Sequence, residues 1–124
     1  MHKSRLGALV IDCKTQDLTE ATAFWTAALG YRAAPQQTDD RYVGLVGPSG
    51  EVGIILQKVE HDSRVHLDIE TNDIEAEVKR LLALGATEVA RIKGWVVLEA
   101  PSGHRFCVVK PQRPDFQVNA HPHA

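Results

Sequence analysis

The feature of this sequence that most constrains its fold is an internal repeat. The tripeptide Ala28-Leu29-Gly30 recurs as Ala83-Leu84-Gly85, and Pro48-Ser49-Gly50 recurs as Pro101-Ser102-Gly103. In both halves a strand and a helix precede Ala-Leu-Gly, and Pro-Ser-Gly comes before the last of three further strands. The repeat therefore predicts two β-α-β-β-β modules, at about residues 6–58 and 64–110, followed by an irregular tail over 111–124.

The repeat also predicts how the two modules combine. One module cannot bury both its helix and the other face of its sheet, whereas two modules side by side can. We expect a single α+β domain in which a curved mixed sheet surrounds a concave cleft and the helices cover the outer face. Ligands favour such a concavity at a module interface.

Two helices are indicated by apolar residues at helical spacing. Asp17 and Asn72 occupy the predicted N-cap positions, and a glutamate follows each of them three residues later, as in a capping box. Gly30 and Gly85 are the expected helix stops. Trp25 lies on the apolar face of the first helix and is predicted to be core. The second helix should present a solvated, charged face made of Asp73, Glu75, Glu77, Lys79 and Arg80.

Eight strands are indicated by apolar or alternating stretches between turn residues. They are predicted at residues 6–13, 31–36, 41–46, 52–58, 64–71, 87–92, 95–99 and 105–110, with a polar turn at 37–40. The tail contains three prolines and shows no periodicity, so we expect it to be mobile or draped over the domain.

Composition and charge exclude several classes of protein. The chain of 124 residues has a formal net charge of −2, and its basic residues are dispersed, which argues against a nucleic-acid partner. No apolar run is long enough to span a bilayer, and no signal-peptide core follows Met1, so a cytoplasmic location is expected. Cys13 and Cys107 fit neither a zinc motif nor a disulfide framework, and both are predicted to be small buried hydrophobes.

The strand at residues 64–71 alternates strictly and places His66, Asp68 and Glu70 on one face. That face is either exposed to solvent or the floor of a binding site. Asp12 is the second unusual position, because it interrupts an apolar strand where an unpaired carboxylate would be costly. His66 could hydrogen-bond Asp12 or Asp68, and a His–Asp pair in a cleft could act as a general base.

The sequence resembles the vicinal oxygen chelate superfamily, which comprises the glyoxalase, bleomycin-resistance and extradiol-dioxygenase proteins. The resemblance covers roughly residues 6 to 111, and it is strongest to the small glyoxalase-like proteins of this superfamily. It rests on the order of several short motifs: Asp17-Leu18 before Phe24-Trp25, Leu29-Gly30-Tyr31, His66-Leu67-Asp68, Asn72-Asp73-Ile74-Glu75, Leu84-Gly85-Ala86 and Ala100-Pro101-Ser102-Gly103-His104-Arg105-Phe106.

The resemblance implies where a divalent metal would bind. Family members take His, Glu or Gln ligands from the first and last strands of each module. At the four corresponding positions this chain has His66, Cys107, Val10 and Ile54. His66 is therefore the only standard ligand, which leaves the family's metal site incomplete. Zinc on His66, Cys107 and a carboxylate is chemically allowed, and nickel or iron are the other candidate ions.

Two functional hypotheses of different class follow. The first is a small-molecule-binding protein or metal-free enzyme of unassigned substrate, without a required cofactor. In it His66 and Asp68 would be catalytic, and the ligand would be bound by Asp12, Val10, Ile54, Leu56, Tyr42, Trp95 and Cys107. The alternative is a metal-dependent lyase, isomerase or dioxygenase with His66 as a metal ligand. The resemblance also implies a homodimer.

Overall fold

The computed structural model describes residues 1–35 and 39–124, and its described residues divide into two compact units. The first unit is Ala8–His66, and the second combines Met1–Gly7 with Leu67–Ala124. Strands β1 and β5 each contribute residues to both units. The elements in chain order are β1 (His2–Lys14), α1 (Thr19–Leu29), β2 (Arg32–Ala33), β3 (Tyr42–Val46), β4 (Gly53–Val59), β5 (Arg64–Thr71), α2 (Ile74–Ala83), β6 (Thr87–Ile92), β7 (Trp95–Glu99), β8 (Arg105–Val109), α3 (Phe116–Asn119) and β9 (His121–His123).

In the first unit, the part of β1 that starts at Ala8 runs parallel to β4, and β4 continues through antiparallel pairing into β3 and then β2. Alternate side chains of these strands pack against α1, where apolar burial stabilises the fold. The buried members of this core are Leu18, Leu45, Ile54 and Leu56, and Trp25 packs against them. The prediction that Trp25 belongs to the core is therefore confirmed.

The second unit has the same order of pairing. Strand β5 runs parallel to β8, and β8 pairs antiparallel with β7, which forms a hairpin with β6. Helix α2 covers one face of these strands through a core of Val78, Leu81, Val96, Leu98, Phe106 and Val108. Both units combine parallel and antiparallel strands, so the predicted α+β mixed-sheet class is confirmed. The concave cleft between tandem modules remains a prediction.

The helix ends follow the predicted pattern in part. Gly30 is left-handed with φ of 71° directly after α1, and Gly85 has φ of 112° just beyond α2, so both glycine stops are confirmed. Both predicted N-caps were wrong. Asp17 accepts hydrogen bonds from the backbone and hydroxyl of Thr19, but α1 has Leu18 at its N-cap. Asp73 caps α2 by accepting from the backbone nitrogen of Ala76.

Asn72, the residue predicted to cap α2, instead joins the chain to β1. Its side-chain oxygen accepts a hydrogen bond from the backbone nitrogen of Lys3 at 2.9 Å, and its own backbone nitrogen donates to the Lys3 carbonyl at 3.3 Å. Two neighbouring residues with cap-forming side chains thus take different roles, because only one of them stands three residues before the free amide of Ala76.

Most strand predictions agree with the structure to within one or two residues, and β6 and β7 have the predicted bounds. β1 is longer than predicted, since it begins at His2. The predicted strand at 31–36 is reduced to the two residues of β2, and its last position, Gln36, lies outside the described residues. So do Gln37 and Thr38 of the predicted turn. None of the described helices is long and apolar enough to cross a bilayer.

The tail is more ordered than its composition predicts. Residues Phe116–Asn119 form a short helix, and His121–His123 pair antiparallel with the start of β1. The carboxylate of Glu70 holds this segment, because it is fully buried and accepts hydrogen bonds from the backbone nitrogens of Gln112 and Arg113. Arg5 bridges Glu70 and Asp115, with N–O distances of 2.5 Å and 2.6 Å. A paired, hydrogen-bonded charge of this kind is tolerated in the interior.

The prediction of a wholly solvated, charged face on α2 was wrong at Glu77, because its side chain is completely buried. Its carboxylate contacts Arg80 Nη2 at 2.7 Å and His2 Nε2 at 2.8 Å. Burial raises the pKa of the Glu77 carboxyl, but hydrogen bonds from Arg80, His2 and Ser4 together outweigh it and hold the pKa at about 2. The carboxylate therefore stays ionised in the folded protein well below the pH at which it would protonate in the unfolded chain.

This pair of pKa values predicts an acid-sensitive stability. The contribution of Glu77 should be complete above its ordinary pKa of 4.5 and should be lost as the pH falls from there toward about 2. Glu77→Gln should cost about 1 to 3 kcal/mol at neutral pH and should lose less further stability between pH 5 and pH 3 than the parent. Urea unfolding at each pH measures both effects. The exposed Glu20→Gln serves as control, and an unchanged acid dependence in Glu77→Gln would contradict the assignment.

Candidate functional site

The side chain of Asp12 is the most unusual polar group of the first unit. It lies in β1 with 2% of the residue exposed, next to the apolar residues Val10 and Ile11. A carboxylate removed from water in this way is costly unless it is paired and hydrogen-bonded. The contacts of its two oxygens therefore decide whether the residue has a purely structural role.

Three cationic or imidazole groups lie close to one oxygen of Asp12. Asp12 Oδ2 lies 3.2 Å from His66 Nδ1, 3.5 Å from Arg64 Nε and 3.8 Å from His61 Nε2. Arg64 and His66 belong to β5, and His61 precedes that strand. The His66 side chain is 14% exposed, whereas Arg64 and His61 are about half exposed, so solvent weakens the last two contacts. The structure thus brings together Asp12 and His66, the two residues that sequence reasoning paired.

The second carboxylate oxygen of Asp12, Oδ1, differs from Oδ2 in its contacts. Asp12 Oδ1 is buried and accepts no hydrogen bond from any residue that the structure describes. Buried carboxylate oxygens are normally satisfied, and an unsatisfied one costs about 1 to 3 kcal/mol. This oxygen is therefore suited to accept a hydrogen bond from a bound molecule.

The register of the strands shows which side chains share a face with Asp12. Asp12 is opposite Gln57 on β4, and Gln57 is opposite Tyr42 on β3, so these three form one row across the sheet. The neighbouring rows on this face contain Val10 with Ile55 and Gly44, and Ala8 with Gly53. We call this surface the site face; it consists of Ala8, Val10, Asp12, Tyr42, Gly44, Gly53, Ile55 and Gln57.

Two glycines keep the site face open. Among the described residues, a Cβ atom placed on Gly53 would meet nothing within 4 Å, and one placed on Gly44 would meet only the Cβ of Ala34, at 3.7 Å. Glycine in a strand interior weakens the strand and often marks a place where another group approaches closely. Each glycine therefore leaves unfilled space on this face, Gly44 one row and Gly53 two rows away from the polar row of Tyr42, Gln57 and Asp12.

Two of the predicted ligand-binding residues lie elsewhere. Ile54 is opposite Leu9 and Leu56 is opposite Ile11, and all four belong to the core under α1. They therefore face away from Val10 and Asp12, and their prediction as the wall of the site was wrong. The nearly continuous apolar run of β4 gives no alternation from which its buried face could be recognised.

Gln57, Arg64 and His61 were missed by sequence reasoning. Gln57 left a readable signal, because it is the polar interruption of β4 as Asp12 is of β1. Arg64 and His61 left none, since charged residues near a strand start are ordinarily solvated.

The remaining predicted site residues belong to the second unit. Asp68 on β5 is opposite Cys107 on β8, and their donor atoms lie within 4.8 Å of each other. Trp95 is opposite Val109, which is opposite Glu70, so Trp95 shares the face of Asp68 and Cys107. Glu70 was predicted to share with His66 and Asp68 a face that is open to solvent or to a binding site. Its carboxylate is instead fully buried and bound to Arg5 and to the tail.

The donor set can be tested against the metal that the family resemblance implies. Of the four corresponding positions, Val10 and Ile54 carry no donor atom, and Ile54 faces α1. Sites for hard divalent cations need several carboxylate or imidazole ligands. The residues at these positions therefore do not fit the family's metal site.

The contact between Asp12 and His66 predicts the tautomer of the imidazole. A carboxylate accepts, so His66 Nδ1 should carry the proton and Nε2 the lone pair when the ring is neutral. Long-range ¹H–¹⁵N correlation spectra at pH 8 would identify this form, and Asp12→Ala should shift His66 toward a mixture of tautomers. His104, which pairs with Ser102 on the surface, should not change in that variant. A His66 ring protonated on Nε2 in the parent protein would contradict the geometry.

Comparison of this chain with known protein families and solved structures tests the predicted family resemblance. A model of the glyoxalase-like domain matches residues 8–109. No curated protein matches the sequence. Among solved structures, methylmalonyl-CoA epimerase from Mycobacterium tuberculosis is similar with a TM-score of 0.65 and 18% identity, covering 87% of this chain and 88% of the other. A glyoxalase/bleomycin resistance protein/dioxygenase superfamily member from Vibrio splendidus 12B01 has a TM-score of 0.57 and 18% identity, covering 86% and 98%.

A third similar structure bears the name of a different activity. It is described as an NAD-dependent benzaldehyde dehydrogenase from Legionella pneumophila, with a TM-score of 0.60 and 11% identity over 85% of this chain and 98% of that one. Identities this low indicate a shared fold, and a fold does not define an activity. The family model covers most of the chain, and the predicted resemblance to the glyoxalase-like proteins is confirmed: the protein belongs to the glyoxalase-like domain family.

Proposed function

We propose that this protein binds a small oxygen-containing organic molecule on the site face of its first unit. The observation that carries the proposal is the buried carboxylate of Asp12, of which one oxygen contacts His66 and the other lacks a partner among the described residues. A ligand hydroxyl or amide that donates to Asp12 Oδ1 would remove the cost of that unsatisfied oxygen. Tyr42 and Gln57 supply further hydrogen-bonding groups in the same row.

The proposal includes an acid–base role for His66. Asp12 contacts Nδ1 of His66, and its carboxylate would stabilise the imidazolium that forms when the ring takes up a proton. Such a base could remove a proton beside a carbonyl group. The fold likeness to an epimerase acting on a thioester is compatible with this reaction class but does not assign it.

A ligand screen tests the proposal directly. Panels of 2-oxo acids, hydroxyketones, acyl thioesters and phenols are the first probes, and a molecule present at a hundredfold excess over its Kd should stabilise the native state by about 2.7 kcal/mol. Thermal shift measures the effect. Asp12→Asn and His66→Ala should both abolish it, whereas His104→Ala, which alters an exposed histidine of a turn, should retain it. If the site variants keep the full shift, the polar row is not the binding site.

The unfilled space at Gly53 gives an independent test. Gly53→Val should change the free energy of unfolding by less than about 1 kcal/mol, because valine suits a strand and its Cβ meets open space. The same variant should remove the ligand-induced shift by filling that space, and Gly53→Ala should weaken it less. Full retention of the shift in Gly53→Val would show that the ligand lies elsewhere, even if Asp12→Asn had abolished binding.

The second candidate is a metal-dependent lyase, isomerase or dioxygenase. The observation that favours it is the pairing of Asp68 with Cys107, whose donor atoms lie within 4.8 Å. Metal content per chain, measured after purification without chelators or a nickel column, distinguishes the candidates. Near-stoichiometric metal that is lost in Asp68→Asn and Cys107→Ser would favour this candidate over the metal-free site. The expected homodimer is retained as part of either proposal.

A further inference from the structure

The pairing of β9 with β1 in the second unit brings two histidines together. His2 and His123 are register partners, and their ring centroids are 5.2 Å apart with the planes inclined at 42°. Both side chains are only partly exposed. Cross-strand pairing alone accounts for the proximity of the two residues. It does not account for the way in which each ring is held.

Each ring is anchored through the same nitrogen. His2 Nε2 lies 2.8 Å from Glu77 Oε1, and His123 Nε2 lies 2.7 Å from Ser4 Oγ. A carboxylate can only accept, so His2 carries its proton on Nε2. A hydroxyl can donate or accept, and the form in which Ser4 accepts from His123 Nε2 is the one that leaves His123 Nδ1 unprotonated.

In these forms His2 and His123 each present the lone pair of Nδ1 at the edge of a pocket. With Nε2 protonated, Nδ1 of each ring is unprotonated, and neither Nδ1 is hydrogen-bonded to any residue in the described part of the chain. Both rings line an open pocket of about 320 Å³, and Asp73 contributes to the same lining.

We propose that His2 and His123 bind a divalent transition-metal ion of the zinc class through their Nδ1 atoms, with water completing the coordination. Metal-binding histidines typically donate their other N–H to a carboxylate or another acceptor, which is the arrangement that Glu77 and Ser4 create here. Two imidazoles on one tetrahedral zinc, with Zn–N bonds of about 2.1 Å, have ring centres roughly 5 Å apart. The observed centroid separation of 5.2 Å is close to this value.

The proposed site is separate from the ligand site of the first unit, and its variants can be chosen accordingly. Zinc binding is measured by competition with a colorimetric chelator, and Co²⁺ absorption reports the coordination geometry. The parent protein should bind one ion per chain and melt at a higher temperature with zinc than without. His123→Gln should weaken zinc binding by roughly 100-fold. Loss of an outer-sphere hydrogen-bond partner costs about 10- to 100-fold, and loss of a direct ligand should reach at least the upper end of that range.

Two matched variants make the experiment decisive. His121→Gln changes an exposed histidine of the same strand, and His66→Ala changes the histidine of the first unit; both should bind zinc like the parent. The proposal is overturned if the parent binds no zinc, if His123→Gln binds as tightly as the parent, or if His121→Gln loses as much affinity as His123→Gln. Metal-free melting of each variant shows whether it is folded, and His2→Gln gives a second, independent removal of one ligand.

Discussion

The parallel pairing of β1 with β4 in the first unit, and of β5 with β8 in the second, is the constraint on which the site face and the Asp68–Cys107 pair depend. In the first unit, the ladder that puts Ile11 beside Leu56 under α1 also puts Asp12 beside Gln57 on the opposite face. Because side chains alternate along a strand, a shift of one residue would exchange the two faces completely. It would bury Asp12 and Gln57 against the helix and expose the core. Core packing therefore fixes the composition of the site face.

Three buried carboxylates show how differently the same group can be used. Glu70 and Glu77 are both fully buried, and both carry partners on each of their oxygens. Their roles are structural: Glu70 holds the C-terminal segment, and Glu77 ties α2 to the start of β1. Asp12 is equally inaccessible but has an oxygen without a partner among the described residues. The contrast within one molecule, rather than burial itself, supports the proposal that Asp12 binds a ligand.

The sequence was a good guide where the physics is local. Repeated tripeptides, glycine stops and alternating strands predicted the order of the elements, because backbone conformation at those positions depends on neighbouring residues. Asp12 and His66 could be recognised because each is chemically out of place in its strand. The face of Ile54, the burial of Glu70 and the pairing of β9 could not be predicted. Each depends on which distant segment is the partner, and neither periodicity nor composition encodes that choice.

Choosing between Asp73 and Asn72 as helix cap failed for a related reason. Both residues have suitable side chains. The side chain of Asn72 is occupied by a hydrogen bond to the backbone of Lys3, which lies on a distant part of the chain. A motif can survive in order and spacing while the side chains that gave it chemistry have changed.

The unsatisfied oxygen of Asp12 has a consequence for how this protein could be engineered. Residues kept for binding are often poor for stability, because the folded state carries a cost that only the ligand removes. Selection of random variants for heat resistance alone would be expected to favour apolar replacements at this position. Selection that also demanded binding would hold the aspartate in place. The position at which those two selections disagree would identify the functional centre without any knowledge of the ligand.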